Sequence, residues 1–395
     1  MLRRLLGFGL ATLVAAPALA QAPAAPPPAW AQGRPVALNA SPLAPNAPKL
    51  TVTPADQVPV GKLTLPQGFK AEIYAAGMPG ARMMALAPDG TLFIGTRTIG
   101  RVYAVKDGKT YTLASGLKQP NGIAFVNGSL YVIAINQVLR FDGIQGKLDA
   151  PPAPVDMTNT FNLPPEEHHG WKFATIGPDA KLYMQVGAPC NICELDENRH
   201  ALLLRYNLDG SGREIVARGV RNSVGMAHHP QTGQLWFTNN GRDWAGEDEP
   251  HDSLGVVTRV GQHFGFPFCH NGNMQDPDVQ GRACSEFSAP ALLLGAHTAA
   301  LGIRFYTGDM FPAEYKNSMF IARHGSWNRT QRSGYDVVNV TLDAAGKPAL
   351  RPFMGGLLEG NTFLGRPTDV QQMPDGSLLV SDEQMGAIYR ITYAK

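Results

Sequence analysis

Charged residues are scarce in this chain of 395 residues: Asp, Glu, Lys and Arg together make up 17% of it, whereas hydrophobic residues make up 44%. Such a composition argues against intrinsic disorder, and the lack of a basic excess argues against a nucleic-acid-binding protein. No Gly-x-Gly-x-x-Gly motif opens a βαβ unit, which leaves nicotinamide and flavin cofactors poorly supported. No long segment has the 3.6-residue hydrophobic period of a helix, so βαβ architecture is not expected.

After the first 20 residues the chain has no apolar run long enough to span a membrane. Residues 1–4 (Met-Leu-Arg-Arg) form a short positively charged region, residues 5–16 are apolar, and residues 18–20 (Ala-Leu-Ala) match a signal-peptidase site. The sequence therefore predicts a signal peptide at 1–20 and a periplasmic or secreted protein; an uncleaved membrane anchor is the alternative. Cleavage would remove two arginines and leave 32 basic and 32 acidic residues, a balance with no attraction to nucleic acid or an anionic membrane.

Cysteines number only four, and they form two local pairs. Cys190 and Cys193 make a Cys-x-x-Cys motif, and Cys269 and Cys284 are fifteen residues apart. In an exported chain the simplest pairing is Cys190–Cys193 with Cys269–Cys284, although four cysteines allow three connectivities. A redox or metal site at the Cys-x-x-Cys is the alternative, but no second such motif completes a zinc set.

Prolines divide the chain: residues 21–61 contain ten of its 32 prolines, which predicts an extended, mobile linker. From residue 62 to 395 a strand–turn–strand unit recurs six times, with a Pro-Asp-Gly-like turn between strands. The aligned apolar positions of the six units are Leu92, Leu130, Leu182, Leu235, Met319 and Leu378. Six such units predict an all-β fold, a six-bladed β-propeller of four-stranded antiparallel blades.

Units three to five are longer than the others, and their excess residues, 183–220, 239–300 and 322–333, are expected to form loops. In a propeller, the loops of one face surround the central channel, where ligands bind. These loops are therefore where functional residues are expected.

Histidine and arginine precede two of the predicted inner strands. His168 and His169 lie before the inner strand of unit three, where a histidine that is neutral at pH 7 could act as a general base. Arg221 and Asn222 occupy the same place in unit four. The alternative for the histidines is a loop position with no role.

A cluster of carboxylates follows in the same unit. Asp243, Glu247, Asp248, Glu249 and Asp252 offer the oxygen ligands that Ca²⁺ prefers, although the EF-hand spacing is absent and a solvated loop is the alternative.

Basic residues recur at the ends of later strands. They are Arg323, His324, Arg329 and Arg366. Arginines that converge on one channel would favour a polyanionic ligand, whereas surface or blade-locking arginines are the alternative.

Several segments together resemble a known family: HHGWKFATIGPDAKLY, PCNIC, RNSVGMA…NNGRD…DE, HGSWNR and GRPTDV…PDGSLLVSDE. Over residues 62–395 the chain resembles the soluble sugar dehydrogenases that use pyrroloquinoline quinone (PQQ), especially the L-sorbosone dehydrogenase-like branch. The resemblance implies a quinoprotein oxidoreductase that transfers hydride from a sugar, aldehyde hydrate or related alcohol to PQQ. Ca²⁺ would polarise the quinone, and a histidine would act as general base.

The resemblance also assigns roles to individual positions. It implies catalytic roles for His169, ten residues before Asp179, and for Arg221. The implied contacts of the quinone are Gln119, Arg221, Asn222, Asn240, Arg323, His324 and Arg366. The implied calcium ligands are the backbone carbonyls of Gly241 and Arg242, with Asp248 aligned to an acidic position beyond them. Arg242, Thr368 and Gly325 depart from the residues of the glucose-oxidising members.

Two other classes of function remain open: a metal-dependent sugar lactonase on a six-bladed propeller, and a non-catalytic propeller that binds a partner or glycan. The expected partners are a small sugar or aldehyde substrate and an external electron acceptor of unknown identity. No nucleic-acid partner is expected, and the oligomeric state is not predicted.

Overall fold

Six antiparallel sheets stand around one axis as the blades of a β-propeller, in a computed structural model that describes residues 28–394. The predicted signal peptide lies outside the described residues. Each blade has four antiparallel strands, and the third gains a short parallel strand from the insertion in the fourth. The first strand of every blade contacts the first strands of its two neighbours, so the six inner strands form a closed ring.

Strand β1 precedes the ring, and the first three blades follow in chain order. They contain β1 (Phe69–Ala75); β2 (Met84–Leu86), β3 (Leu92–Ile94), β4 (Val102–Lys106) and β5 (Lys109–Ala114); β6 (Gly122–Val126), β7 (Ser129–Ile133), β8 (Val138–Asp142) and β9 (Val155–Asp156); the short helix α1 (Thr158–Phe161); and β10 (Ala174–Ile176), β11 (Leu182–Val186), β12 (Leu202–Tyr206) and β13 (Glu214–Arg218).

The fourth blade carries the longest insertion, and the fifth and sixth complete the ring. They contain β14 (Met226–His228), β15 (Leu235–Asn239), β16 (His251–Val256), the inserted β17 (Gln262–His263), β18 (Cys269–His270) and β19 (Met274–Gln275), and β20 (Leu292–Ala296); β21 (Ala300–Phe305), β22 (Met319–Arg323), β23 (Asp336–Leu342) and β24 (Pro348–Met354); the hairpin β25 (Leu358–Glu359) and β26 (Thr362–Phe363); and β27 (Pro367–Gln372), β28 (Leu378–Asp382) and β29 (Ala387–Tyr393).

The ring is closed by strands from the two ends of the folded domain. In the sixth blade the order is β1–β29–β28–β27, so the outermost strand comes from the start of the propeller and its neighbour from the end. The register pairs Phe69 with Tyr393. Phe69 also packs edge-to-face against Phe311, Tyr315 and Phe353, which ties the closing strand to the fifth blade.

The repeat that the sequence predicts is confirmed strand by strand. All six aligned apolar residues lie in the second strand of a blade, and five of them begin that strand. The turns between first and second strands have the predicted chemistry: Gly90 and Gly376 have φ of +84° and +85°, a conformation that favours glycine. Buried side chains from neighbouring blades, such as Tyr131 and Leu182, pack together, so the core lies between the sheets.

The predicted loops are only partly loops. The range 183–220 contains β12 and β13, which leaves 187–201 as the true loop, and the range 239–300 contains β16, β20 and a small inserted sheet. The predicted loop ranges were too long, because they include the third and fourth strands of their blades.

The described part of the Pro-rich segment, residues 28–61, forms four short 3₁₀ helices: Ala29–Ala31, Val36–Leu38, Ala55–Gln57 and Val60–Lys62. Two more lie within the propeller, at Cys284–Glu286 and Ala313–Tyr315. Between residues 28 and 394 no helix is long and apolar enough to cross a membrane. The predicted disulfides, Cys190–Cys193 and Cys269–Cys284, are both present.

Candidate functional site

A cavity of about 380 Å³ lies at one end of the propeller axis, and all six blades contribute to its wall. Many of its lining residues lie just before or at the start of an inner strand, because the inner strands of the blades begin at the same end of the ring; others follow a second strand, which ends at that side. The polar lining residues are Asn46, Arg82, Arg97, Gln119, Glu167, His168, His169, Arg221, Asn222, Asn240, Asp243, Asp252, His297, His324, Asn328 and Arg366.

His169 is buried in this wall as a neutral base. Its Nδ1 lies 2.9 Å from the carbonyl oxygen of Ala188. Because a carbonyl can only accept, Nδ1 carries the proton and Nε2 is left as a proton acceptor. Burial, together with neighbouring His168 and Arg221, lowers the pKa of His169 well below its usual value. The imidazole is therefore neutral at pH 7.

The backbone around His169 is shaped for this position. His169 has φ of +50°, and a Cβ atom on Gly187 would lie 2.4 Å from the Cβ of His169. Only glycine at 187 leaves room for the imidazole. The ring of Trp171 packs edge-to-face against His169 at 5.9 Å and forms the adjacent wall.

His168 lies beside His169, with ring centroids 4.1 Å apart. Its Nε2 is buried and has no hydrogen-bond partner among the described residues. Burial and the charge of Arg221 lower the pKa of His168 to about 4. Both histidines line the cavity, so the structure brings both to the place predicted for the base.

Arg221 is buried, and its five N–H donors are all used within the protein. Nε donates to the carbonyl of Asn191 at 2.9 Å, and Nη2 donates to Asn191 Oδ1 and Asp243 Oδ2 at 2.8 and 3.0 Å. Nη1 donates to the carbonyls of Gly241 and Asn240 at 2.7 and 3.3 Å. A hydrogen bond from Arg221 to a bound ligand would require one of these bonds to break.

Asn191, which accepts hydrogen bonds from Arg221, lies between the two cysteines of the Cys190–Cys193 disulfide. Asn191, between the two cysteines, also accepts from the backbone N–H of Asp243 at 2.8 Å. Asp243 in turn accepts from Asn328 Nδ2 at 2.8 Å. The disulfide, Arg221 and the loop after β15 therefore form one connected unit.

A second polar group lies on the other side of the cavity, where cations outnumber anions. Glu383 Oε2 forms an ion pair with Arg82 Nη1 and accepts a hydrogen bond from His324 Nε2, each at 2.8 Å. Arg97 and Arg366 are close enough to act electrostatically on the same carboxylate. Burial opposes ionisation of Glu383, yet Arg82 and His324 hold its pKa well below the usual range. Three arginines thus surround one carboxylate.

All three arginines retain unused hydrogen-bonding capacity, since the guanidinium of Arg82 donates only from Nε, to Asn121 Oδ1 at 2.7 Å. Arg366 donates only to the carbonyls of His324 and Gly325, at 3.3 and 3.1 Å. The guanidinium of Arg97 donates no hydrogen bond to the described residues and lies 4.7 Å from the ring centroid of Trp171. Burial lowers the pKa of Arg366 to about 10, against the opposing effect of Glu383. The guanidinium of Arg366 therefore remains charged at pH 7.

Most of the predicted site residues converge on this cavity. Those that line it are Gln119, His169, Arg221, Asn222, Asn240, Gly241, His324 and Arg366. Gln119 Oε1 and Asn222 Oδ1 are buried without a hydrogen-bond partner among the described residues.

Three of the residues that the family resemblance assigned to the site do not line the cavity. Arg323 pairs with Asp336, with Nε 2.7 Å from Oδ1. The side chain of Arg242 pairs with Asp276, with Nη1 2.9 Å from Oδ2, and with Asp278. The Asp248 side chain is 83% exposed and is bonded to Arg329.

Sequence reasoning missed Arg82 and Arg97. Arg82 lies two residues before the inner strand β2, much as Arg366 directly precedes β27, and Arg97 follows the second strand β3. The positional rule that singled out Arg366 would have found both, had it been applied to the first blade. Trp30 and Asn46 were also missed, because nothing in a proline-rich composition indicates where such a segment docks.

Comparisons with known proteins agree with this architecture. The family profile described as TrAA12-like matches residues 192–394. An uncharacterized protein of Borreliella burgdorferi is 32% identical in an alignment of 359 positions, which covers 87% of this chain and 94% of that protein. A pyrroloquinoline quinone-dependent sugar dehydrogenase of Hypocrea jecorina is 24% identical over 222 residues, 44% of this chain and 47% of that protein.

Two solved structures show the same fold. The holo form of the PQQ domain of pyranose dehydrogenase from Coprinopsis cinerea superposes with a TM-score of 0.70 at 18% identity, over 84% of this chain and 97% of that one. The calcium structure of a Trichoderma reesei carbohydrate-active enzyme of family AA12 gives the same TM-score, identity and coverage. At this identity the likeness establishes the fold.

Proposed function

The chain belongs to the TrAA12-like family, and on that premise we propose that it is a quinoprotein oxidoreductase that oxidises a sugar, an aldehyde hydrate or a related alcohol. The cofactor in this proposal is PQQ. The related sugar dehydrogenase of Hypocrea jecorina and the holo pyranose dehydrogenase domain of Coprinopsis cinerea support it, since both names include this quinone.

The observation that carries the proposal is the excess of positive charge on one wall of the cavity. Arg82, Arg97 and Arg366 face a single carboxylate, Glu383. Buried cations without equal anions favour an anionic ligand, and a planar guanidinium binds carboxylates in bidentate fashion. PQQ is a polycarboxylate, so its acid groups fit this wall. The unpartnered oxygens of Gln119 and Asn222 would accept from its ring N–H or from bound water.

The bound quinone would supply the acceptor for the hydride that leaves the substrate carbon. Nε2 of His169 is the proton acceptor for the substrate hydroxyl, because Nδ1 is committed to Ala188 and the ring is neutral. Trp171 packs edge-to-face against the imidazole and helps to fix its orientation. Arg221 contributes a fixed positive charge and orders the loop from Asn240 to Asp243.

Calcium fits this arrangement less well than the quinone does. Arg221 already donates to the carbonyls of Asn240 and Gly241 and to the carboxylate of Asp243, so a guanidinium occupies the point where these oxygens converge. Asp248 points to solvent. Within residues 28–394, no group of three or more His, Cys, Asp or Glu side chains converges as metal ligands. We therefore assign no step to Ca²⁺, and its requirement stays a prediction.

Export of the protein is part of the proposal. Two disulfides are typical of periplasmic or secreted proteins. The L-sorbosone dehydrogenase-like branch, the substrate and the electron acceptor stay predictions for a substrate screen with an artificial acceptor.

Titration of purified apoprotein with PQQ, with and without Ca²⁺, tests the proposal through the absorbance of the quinone. Arg366→Met should weaken quinone binding by about tenfold or more, since it removes a charge-assisted contact of roughly 1.5–3 kcal/mol. Arg323→Met is the matched control, because Arg323 pairs with Asp336 away from the cavity. A quinone spectrum that stays unchanged throughout the titration would reject the proposed cofactor.

A further inference from the structure

Part of the cavity wall comes from outside the propeller. Residues 28–46, here called the N-terminal strap, place Ala29, Trp30, Pro45 and Asn46 in the lining. The predicted cleavage site lies before residue 28, so an exported protein would retain the whole strap.

The strap is bound to loops of three blades. Gln32 accepts through its carbonyl from Asn191 Nδ2 at 2.8 Å, next to the disulfide of the third blade. The carbonyl of Trp30 accepts from Trp244 Nε1 at 2.8 Å, on the loop of the fourth blade. At the far end, Asn46 Oδ1 accepts from Arg332 of the fifth blade at 3.4 Å. These contacts attach the strap to the third, fourth and fifth blades.

Trp30 is fixed by other aromatic rings. It packs edge-to-face against Trp327, with centroids 5.7 Å apart, and Trp327 packs in the same way against Trp244 at 5.3 Å. Trp327 also lines the cavity. The indole of Trp30 is therefore a rigid part of the wall, although it lies outside the blades and their cores.

Asn46 provides a polar group beside this ring. Its Nδ2 is buried and has no hydrogen-bond partner among the described residues, whereas its Oδ1 is bonded to Arg332. A buried amide donor without a partner is costly unless a ligand or water accepts from it. The strap thus offers an aromatic surface and a free donor, the combination that suits a sugar ring.

The cavity is small for what it must hold. Its volume of about 380 Å³ lies near the lower end of the roughly 300–1,000 Å³ typical of a pocket for one small-molecule ligand. Under the proposed function, it must hold the quinone and the reacting part of the substrate together. We propose that Trp30 is a specificity-determining residue, which restricts the substrate to a single sugar ring or a smaller aldehyde and excludes oligosaccharides. This inference rests on the proposed function.

Substrate size tests the inference. In Trp30→Ala, the ratio of kcat/KM for disaccharides to kcat/KM for the monosaccharides they contain should rise about tenfold or more, as expected for removal of a bulky group from a pocket wall. Trp30→Phe keeps a ring in place and should retain the original ratio. Val36→Ser is the matched control on the strap, because Val36 is exposed and lies outside the cavity lining. An unchanged ratio in Trp30→Ala would overturn the inference.

A second measurement separates this inference from the proposed function. Diethyl pyrocarbonate labelling of His168 and His169, followed by peptide mass spectrometry, reports access to the cavity without any cofactor. Labelling should be several-fold faster in Trp30→Ala, with His229, outside the cavity, as internal reference. Faster labelling without oxidation of any sugar would reject the proposed function but support the strap as a wall. Unchanged labelling would contradict the wall itself.

Discussion

Replacement of Glu383 by Gln should destabilise the protein strongly. Glu383 is 3% exposed, and its carboxylate is bonded to Arg82 and His324 and acted on by two further arginines. Removal of one partner from a buried ion pair typically costs about 3–5 kcal/mol, because the remaining charge is left uncompensated. For 395 residues, the unfolding entropy at about 2.1 cal/mol/K per residue is about 0.8 kcal/mol/K. The Tm should therefore fall by about 4–6 °C.

Thermal unfolding followed by circular dichroism measures this change. The control is Glu359→Gln, since Glu359 forms an exposed pair with Lys62 and such pairs contribute about 0–1 kcal/mol. Its Tm should change by about 1 °C or less. Added PQQ should restore part of the lost stability in Glu383→Gln, because an anionic ligand would replace the missing charge. Equal Tm values for the two variants would refute the view that Glu383 neutralises the arginine cluster.

Three further predictions concern the base, the pH dependence and the metal. His169→Gln should lower kcat by about 10²–10⁴-fold with quinone binding nearly intact, and His168→Gln should do much less; the reverse order in steady-state kinetics would assign the base to His168. Burial and Arg366 lower the pKa of His324 from 6.5 to about 3 in the folded state. Between pH 3 and pH 6.5, His324 therefore binds more protons in the unfolded state than in the folded state. The contribution of His324 to the free energy of unfolding should be complete above pH 6.5 and should decrease at lower pH, by up to about 1.4 kcal/mol per pH unit. Urea unfolding of His324→Gln should show a shallower decrease with falling pH. Chelation with EGTA should abolish the absorbance shift of the quinone if calcium is required, and a shift that persists would remove calcium from the proposal.

The fold could be predicted from the sequence because its repeat is local. Each hairpin carries its own turn signal, so Leu92 and Leu378 could be aligned without knowledge of any distant contact. The positions at the start of inner strands were predictable for the same reason. His169 and Arg366 reach the cavity because the ring brings these starts together.

The directions of individual side chains could not be predicted in this way. Arg242 turns into a buried pair with Asp276, a residue 34 positions away in an insertion whose path no repeat determines. Asp248 belongs to an acidic cluster by composition, yet it is exposed at the outer part of its loop. The docking of Trp30 on Trp327 depends on contacts across almost 300 residues, which proline content does not reveal.

The pairing of β1 with β29 bears on how the protein folds. The outermost strand of the sixth blade is made near the start of the chain, and its partner residue for Phe69 is Tyr393. The ring therefore cannot close until almost the whole chain has been synthesised, and contacts of such long sequence separation slow folding. Loss of the last few residues should leave β1 as an unpaired edge, prone to pair with other chains.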